Sequence, residues 1–318
     1  MDFDLAQIEN LAIEVSEAAG KLLVEERQRR TTSKPSGPRM KMNAVDIVTE
    51  TDEKIEKFIH DKIVSVYPGH NFVGEESYSS GGSKTYLVSD APTWVVDPLD
   101  GTVNYVHFFP MVCVSIGFCV RNRPVVGVIH APFLGQTYSA SLGGGAWLNK
   151  DVRLPLQKRV LASDAPKGCI FACEWGKDRK NVSDSNLCRK VKSFVNMAAE
   201  IGNHSLPGMC DGVRSLGSAA LDLCFVATGA FDIWWEGGCW EWDVCAGFII
   251  VEEAGGLITT ANPPKNRNSI PQVHLGGRLY LAIRAALDSD SETGREAQER
   301  TVRAVWDRAE RLEYGRPL

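Results

Sequence analysis

The segment Trp94–Thr102 constrains the fold more than any other part of this 318-residue chain. Trp94-Val95-Val96 is typical of a buried strand, and Asp97-Pro98-Leu99-Asp100-Gly101-Thr102 follows directly. Proline and the Asp-Gly pair favour a turn at the end of that strand. Two carboxylates three residues apart at a turn can converge on a hard divalent cation. Backbone N–H groups left exposed at the same turn could donate hydrogen bonds to an anion. A turn whose carboxylates only cap backbone amides explains the segment equally well.

Hydrophobic periodicity divides the chain into a β-rich first half and an alternating second half. The first half is predicted to contain helices at 4–30 and 51–66, loops at 31–43 and 78–84, and strands at 71–73, 93–97, 111–120, 124–131 and 136–141. The second half is predicted to contain strands at 168–173, 213–215, 231–235 and 279–284. Its predicted helices lie at 184–202, 243–254 and 293–312, and a further helix begins within 217–220. We expect one compact unit with halves at 1–150 and 151–318.

Composition excludes several classes of partner. The net charge of −5 argues against binding to nucleic acid or an anionic membrane. No apolar run approaches the about 20 residues of a membrane helix, and the acidic N-terminus lacks the features of a secretory signal. Nine cysteines, an odd number lying mostly in apolar runs, indicate buried free thiols in a reducing compartment. We therefore expect a soluble cytoplasmic protein, in which an anionic substrate would need a local cation.

Three further acidic positions lie where an apolar segment meets a turn. Asp52 is at a predicted helix start, Glu75 follows Gly74 at the end of a predicted strand, and Asp243 begins a predicted helix. Each one alone is more often a helix cap or a surface charge. Several carboxylates that converge would repel one another unless metal ions neutralised them. Together with Asp97 and Asp100 they favour a metal centre.

Three motifs occur in a specific order and spacing. They are Gly74-Glu75-Glu76-Ser77, then Asp97-Pro98-Leu99-Asp100-Gly101-Thr102-Val103-Asn104-Tyr105, then Trp242-Asp243-Val244-Cys245-Ala246-Gly247 with Glu253-Ala254-Gly255-Gly256. Over roughly residues 5–285 the chain thereby resembles the inositol monophosphatase family of magnesium-dependent, lithium-sensitive phosphatases, which includes fungal proteins associated with quinate use. The resemblance implies an α/β (α+β) fold, a layered αβαβα sandwich, and a homodimer.

The resemblance also implies a set of metal ligands. Glu75, Asp97 and the carbonyl of Leu99 match the ligands of one magnesium ion. Asp97, Asp100 and Asp243 match those of a second ion, so that Asp97 would bridge the two. A weaker third ion would be reached through waters by Glu75, with Glu76 as a second candidate. The expected cofactor is therefore Mg²⁺, as two or three ions.

Other matches concern catalysis and the substrate. Asp52 and Thr102 match the pair that activates the attacking water, with Glu75 assisting, and Lys41 matches a loop lysine near the active site. The residues matching substrate contacts are Asp100, Gly101 and Thr102 for the phosphate, and Arg214, Gly217, Ser218, Ala219 and Glu236 for the alcohol. A close helix-packing contact explains the glycine and serine of the second set equally well. The aromatic segment 234–242 and the charged loop 174–180 depart from the inositol enzymes.

The implied activity is hydrolysis of a small phosphorylated polyol such as inositol monophosphate. Asp97 and Asp100 would be occupied as ligands, so direct attack by water, without a phosphoenzyme, is the better hypothesis. A bisphosphate nucleotidase or sugar bisphosphatase of the same superfamily is an alternative, although Asn104-Tyr105 is more typical of the inositol branch. A non-catalytic regulatory homologue is another, and the acidic residue at every metal position argues against it.

Overall fold

The computed structural model describes residues 3–32, 39–40, 47–48, 50–81, 88–200 and 207–316. Its helices are α1 (Leu5–Thr32), α2 (Glu50–Val66), α3 (Glu75–Ser79), α4 (Thr102–Val106), α5 (Asn186–Ala198), α6 (Ala219–Thr228), α7 (Glu241–Glu253) and α8 (Gly294–Trp306). Its strands are β1 (Arg39–Met40), β2 (Ile47–Val48), β3 (Asn71–Gly74), β4 (Thr93–Asp100), β5 (Cys113–Val120), β6 (Arg123–Ala131), β7 (Gln136–Ser141), β8 (Gly145–Leu148), β9 (Val152–Arg153), β10 (Ile170–Ala172), β11 (Gly212–Arg214), β12 (Ile233–Gly237), β13 (Leu257–Thr259) and β14 (Leu279–Ile283).

Strands β3 to β9 form a seven-stranded sheet in sequence order. Its neighbours pair antiparallel, except that β3 and β4 are parallel. Strands β4 and β5 are buried along nearly their whole length. The reason is that α1 and α2 cover one face of the sheet, whereas α6 and α7 cover the other. A strand buried on both faces has a nearly continuous apolar run, as these two do.

A second sheet has the order β11-β10-β12-β14-β13. In it β10 pairs parallel with β11 and β12, and β14 pairs antiparallel with β12 and β13. Helices α6 and α7 lie between the two sheets, and α5 and α8 pack on the outer side of the second one. The layers are therefore helix, sheet, helix, sheet, helix. This confirms the predicted αβαβα sandwich.

Two glycines bring α7 directly onto the middle of the seven-stranded sheet. A Cβ atom at Gly127 would lie 2.3 Å from the carbonyl oxygen of Ala246, and one at Gly117 would lie 2.3 Å from Cys245 Sγ. Any side chain at these positions would push the helix away. The close approach places the first turn of α7, which carries Asp243, beside the end of β4.

The sequence prediction was wrong in several places. The last helix ends at Trp306 instead of 312, because Asp307 caps it and the chain then turns back over α5 and β12. Helix α3 includes residues 78 and 79, which were predicted to begin the 78–84 loop. Within the predicted 31–43 loop, residues 31–32 belong to α1 and residues 39–40 form β1. The short elements α4, β8, β9 and β13 were missed, because two to five residues carry too little periodicity.

Two predictions from composition can be compared with the structure. All nine cysteines are free and seven of them are buried, as their apolar surroundings indicated. No helix in the part of the chain that the structure describes is long and apolar enough to cross a bilayer.

Candidate active site

The end of β4 is shaped by its own sequence. Pro98 cannot donate to the sheet, and the register between β4 and β5 shifts between Asp97 and Asp100. Gly101 then takes a left-handed φ of +90°, and a Cβ there would lie 2.6 Å from the carbonyl oxygen of Met111. Only glycine fits this turn without strain. The irregular strand end thus bends the chain sharply between the two carboxylates and α4.

Three carboxylates converge at this point. Asp97, Asp100 and Asp243 each offer an oxygen atom, and these atoms all lie within 4.8 Å of one another. The N–H of Leu99 donates to Asp97 Oδ1 at 2.9 Å, and the N–H of Trp240 donates to Asp243 Oδ2 at 2.7 Å. Since Asp97 and Asp100 come from the first half and Asp243 from the second, the cluster exists only because the halves pack together.

The second half also holds Asp100 in place. Ser218 Oγ donates to Asp100 Oδ2 at 2.6 Å, and the N–H of Ala220 donates to the same oxygen at 2.9 Å. Ser218 is also the N-cap of α6, with its Oγ accepting from the N–H of Leu221. One serine side chain therefore links the start of α6 to the carboxylate cluster.

The cluster is electrostatically unfavourable without a cation. Burial, followed by the charges of Glu75, Asp100 and Asp243, raises the pKa of Asp97 well above its ordinary value. Burial and the neighbouring Asp243 raise the pKa of Asp100 to about 7. Burial likewise raises the pKa of Asp243, although the Trp240 N–H, Lys177 and Arg278 oppose this. A set of hard oxygen donors that repel one another fits Mg²⁺ better than a soft transition metal.

Glu75 lies beside this cluster. It begins α3 directly after Gly74, whose register partner across the parallel β3–β4 pair is Val96, the residue before Asp97. The N–H of Glu76 donates to the carboxylate of Glu56 at 2.6 Å, which ties the start of α3 to α2. Glu75 thus lines the same cavity as Asp97, and its charge helps to raise the pKa of Asp97; its role as a metal ligand stays a prediction.

Thr102 and Asp52 are the two residues predicted to activate the attacking water. Thr102 lines the cavity and donates through Oγ1 to the carbonyl oxygen of Leu99 at 3.1 Å, leaving that oxygen a second lone pair for a cation. Asp52 is in the first turn of α2 and is 2% exposed. Lys41 lies outside the described residues. The roles of Thr102 and Asp52 stay predictions.

A cavity of about 500 Å³ opens over the carboxylates. Its lining includes the predicted substrate residues Gly101, Thr102, Gly217, Ser218, Ala219 and Glu236. Arg214 is exposed, donates to the carbonyl oxygen of Val213, and is not among the lining residues of the described chain.

Glu236 has several protein partners. It is 1% exposed, and the N–H groups of Glu174 and Gly237 donate to its carboxylate at 2.6 and 2.9 Å. The fully buried Lys190 forms an ion pair with it. Protein donors therefore already bind both carboxylate oxygens of Glu236. The contact of Glu236 with substrate hydroxyls stays a prediction.

Sequence reasoning missed several residues of the site. Asn104 Nδ2 donates to the carbonyl oxygens of Met111 and Leu216, at 2.7 Å each, and so joins the two cavity walls. Glu174 accepts from Ser215 Oγ at 2.8 Å and from the N–H of Leu216 at 2.5 Å. No local pattern marks these contacts, which join residues 7 to 112 positions apart.

We expect Asp222→Asn to stabilise the protein at alkaline pH. Asp222 is fully buried in α6, where burial and then Glu174 raise its pKa well above the ordinary value. A carboxyl with a raised folded-state pKa costs stability as the pH rises above its unfolded pKa, because the unfolded chain loses the proton first. An amide removes this cost, so the variant should gain about 1–3 kcal/mol at pH 8 and much less at pH 4.

Urea unfolding at pH 4 and pH 8 measures this difference. Asp151→Asn, which replaces an exposed carboxylate, serves as the matched control and should change the free energy of unfolding little at either pH. An Asp222→Asn gain that did not grow with pH would contradict the expected titration.

Comparison with known proteins agrees with this geometry. The sequence model of the inositol monophosphatase family matches residues 4–310. A Neurospora crassa protein named quinic acid degradation cluster protein x is 54% identical, over 99% of this chain and 97% of its own. Inositol monophosphatase 2 of Saccharomyces cerevisiae is 40% identical, over 86% of each chain.

A solved structure confirms the fold independently of these sequences. The inositol monophosphatase from Anabaena superposes with a TM-score of 0.68 at 27% identity, covering 95% of this chain and 96% of that one. The family expected from the three motifs, and the likeness to fungal quinate-associated members, are both confirmed. With its carboxylate cluster, its layered fold and these relatives, the chain belongs to the inositol monophosphatase family.

Proposed function

We propose that this protein is a magnesium-dependent phosphomonoesterase that hydrolyses a small phosphorylated polyol. The observation that carries the proposal is the convergence of Asp97, Asp100 and Asp243 at a cavity, with pKa values raised by burial and, for Asp97 and Asp100, by neighbouring carboxylates. Membership of the inositol monophosphatase family supports it. The net charge of the chain is −5, so a phosphate would enter this cavity only if cations reversed the local sign.

The described residues divide naturally between the expected ions. Glu75, Asp97 and the carbonyl of Leu99 would hold one ion, Asp97, Asp100 and Asp243 a second, and Glu75 would reach a weaker third. When bound, Mg²⁺ supplies charge for the phosphoryl oxygens and lowers the pKa of a bound water. Homodimer formation, a cytoplasmic location and inhibition by lithium are part of the same proposal.

The side chains of this site favour attack by water over a covalent phosphoenzyme. Asp97 and Asp100 are the carboxylates nearest the turn, and each already accepts a backbone hydrogen bond from its own surroundings. Such anchored carboxylates are poorly placed to swing toward phosphorus. Thr102 donates its hydroxyl proton to Leu99, so the lone pairs of its oxygen are left to accept from a water. Asp52 is proposed to receive the proton.

The phosphate would be held mainly by backbone. The first intrahelical bond of α4 runs from the N–H of Tyr105 to the carbonyl of Gly101, so the N–H groups of Gly101 and Thr102 are not used by the helix. Gly217, Ser218 and Ala219 line the opposite side of the cavity and would face the alcohol. The names of the relatives point to inositol phosphate and to quinic acid breakdown, both of which involve polyhydroxylated rings.

Phosphate release from a panel of esters tests the proposal. The panel contains inositol monophosphates, nucleoside 3′,5′-bisphosphates and sugar bisphosphates, each with and without Mg²⁺. We expect release from a polyol monoester that depends on Mg²⁺. Preferential cleavage of a bisphosphate would support the nucleotidase or sugar bisphosphatase alternative. Calorimetric Mg²⁺ binding without release from any ester would support a non-catalytic homologue.

A further inference from the structure

The C-terminal tail (residues 307–316) reaches the active-site cavity. The match to the sequence model of the family ends at residue 310, before most of this tail, whereas the Neurospora crassa relative matches 99% of the chain. Tyr314 nevertheless lines the same cavity as Asp97 and Asp243. The amphipathic pattern of the sequence predicts a helix to 312 here and indicates no role for the segment.

The tail is fastened by paired hydrogen bonds. Asn262 binds both backbone groups of Leu312, donating to its carbonyl at 2.8 Å and accepting from its N–H at 2.9 Å. Asn186 binds Glu313 in the same way, at 2.8 Å for each bond. Leu312 itself is 2% exposed. Two side-chain amides therefore fix the two residues that precede Tyr314.

Close packing then holds the Tyr314 ring against the end of β12. A Cβ at Gly237 would lie 2.7 Å from Tyr314 Cδ2, and a Cβ at Gly238 would lie 3.0 Å from Tyr314 Cε1. The Tyr314 hydroxyl lies beneath the 174–180 loop, where a Cβ at Gly176 would come within 2.9 Å of it. The ring is thus wedged between a strand end and a loop that both border the cavity.

Two arginines extend this contact to the metal centre. Arg278 donates to the carbonyls of Gly315 and Gly238 at 2.7 Å each, and its guanidinium lies 3.9 Å from the Trp240 ring centroid. Arg316 forms an ion pair with the buried Glu241 at the start of α7. Since the Trp240 N–H also binds Asp243, the tail packs on the same turn that carries a metal ligand.

From these contacts we propose that Tyr314 is a specificity-determining residue, and that it selects a cyclic alcohol as the leaving group. This inference rests on the proposed function. Trp175, Trp240 and Tyr314 all line the cavity, so a ring placed there would meet aromatic surface. The C–H face of a cyclic polyol packs on aromatic side chains, whereas a short open chain covers much less of them.

Kinetics of two variants test the inference. Tyr314→Ala should raise KM for inositol 1-phosphate on the order of tenfold, with kcat nearly unchanged, and should leave kcat/KM for glycerol 2-phosphate within about twofold. Tyr314→Phe, which keeps the ring, should retain the parent KM. The matched control is Glu313→Ala, which changes the neighbouring residue of the tail, because the Glu313 side chain is 75% exposed and does not line the cavity. Equal loss for both esters would overturn the inference.

Hydrogen exchange separates this inference from the proposed function. The wild-type chain is examined with Mg²⁺ and either inositol 1-phosphate or glycerol 2-phosphate, which reports binding whether or not an ester is cleaved. Stronger protection of residues 312–316 by the cyclic ester would support the tail as its binding wall, even if no phosphate were released. Equal exchange with both esters would overturn that role, even in an active enzyme.

Discussion

Asp97→Asn should abolish phosphate release and at the same time stabilise the metal-free protein. Asp97 is the carboxylate predicted to bridge two ions. Replacing a residue that only supports a metal ligand costs up to about 100-fold in activity, so losing the bridging ligand itself should lower kcat/KM by more than that. In the metal-free protein the same carboxylate is 1% exposed and has a pKa raised by burial, Glu75, Asp100 and Asp243. A neutral amide of equal size relieves that repulsion, so the free energy of unfolding should rise by about 1–3 kcal/mol at pH 8.

Activity and stability must be measured on the same preparations. Phosphate release in Mg²⁺ reports the first effect, and urea unfolding in EDTA reports the second. Wild type should also be stabilised by added Mg²⁺, and the variant much less. Asp243→Asn should behave alike, whereas the exposed Asp151→Asn should change neither quantity. Retained activity in both the Asp97 and the Asp243 variant would refute the assignment of the metal centre.

Lys190→Met should be the most destabilising single change near the cavity, at about 3–5 kcal/mol. Lys190 and Glu236 form an ion pair with side chains 0% and 2% exposed, and Lys190 also donates to the carbonyl of Glu174 at 2.7 Å. Burial lowers the pKa of Lys190, but the adjacent Glu236 outweighs it and the pKa rises, so the ammonium stays charged. Methionine would leave the Glu236 carboxylate buried beside Glu174 without its cation.

A double variant distinguishes loss of charge pairing from loss of packing. In Lys190→Met/Glu236→Gln both charges are gone, so most of the lost stability should return. Lys192→Met, an exposed change on the same helix, should be nearly neutral. Urea unfolding of wild type, Lys190→Met, Glu236→Gln and the double variant gives the coupling energy directly. If Lys190→Met lowered the free energy of unfolding by less than about 1 kcal/mol, the ion pair would contribute no more than an exposed one, which would contradict this prediction.

The local chemistry of the site could be predicted from sequence because it lies in contiguous residues. The turn at Asp97–Thr102 follows from its proline and glycine, and the helices at 4–30 and 51–66 follow from long apolar periodicity. The motif order was specific enough to indicate the family and its layered fold. These patterns lie within short stretches of sequence, so they can be recognised without knowing which distant residues are in contact.

Tertiary structure alone decided which of these groups meet. Asp243 joins Asp97 because glycines in β5 and β6 allow α7 to approach the sheet, and Ser218 reaches Asp100 across 118 residues. The same is true of Lys190 against Glu236 and of Tyr314 in the cavity. No period or spacing encodes such pairs, since they depend on how whole layers pack. The sequence by itself determined the carboxylate turn and the layered α/β class, and packing determined the site that surrounds the turn.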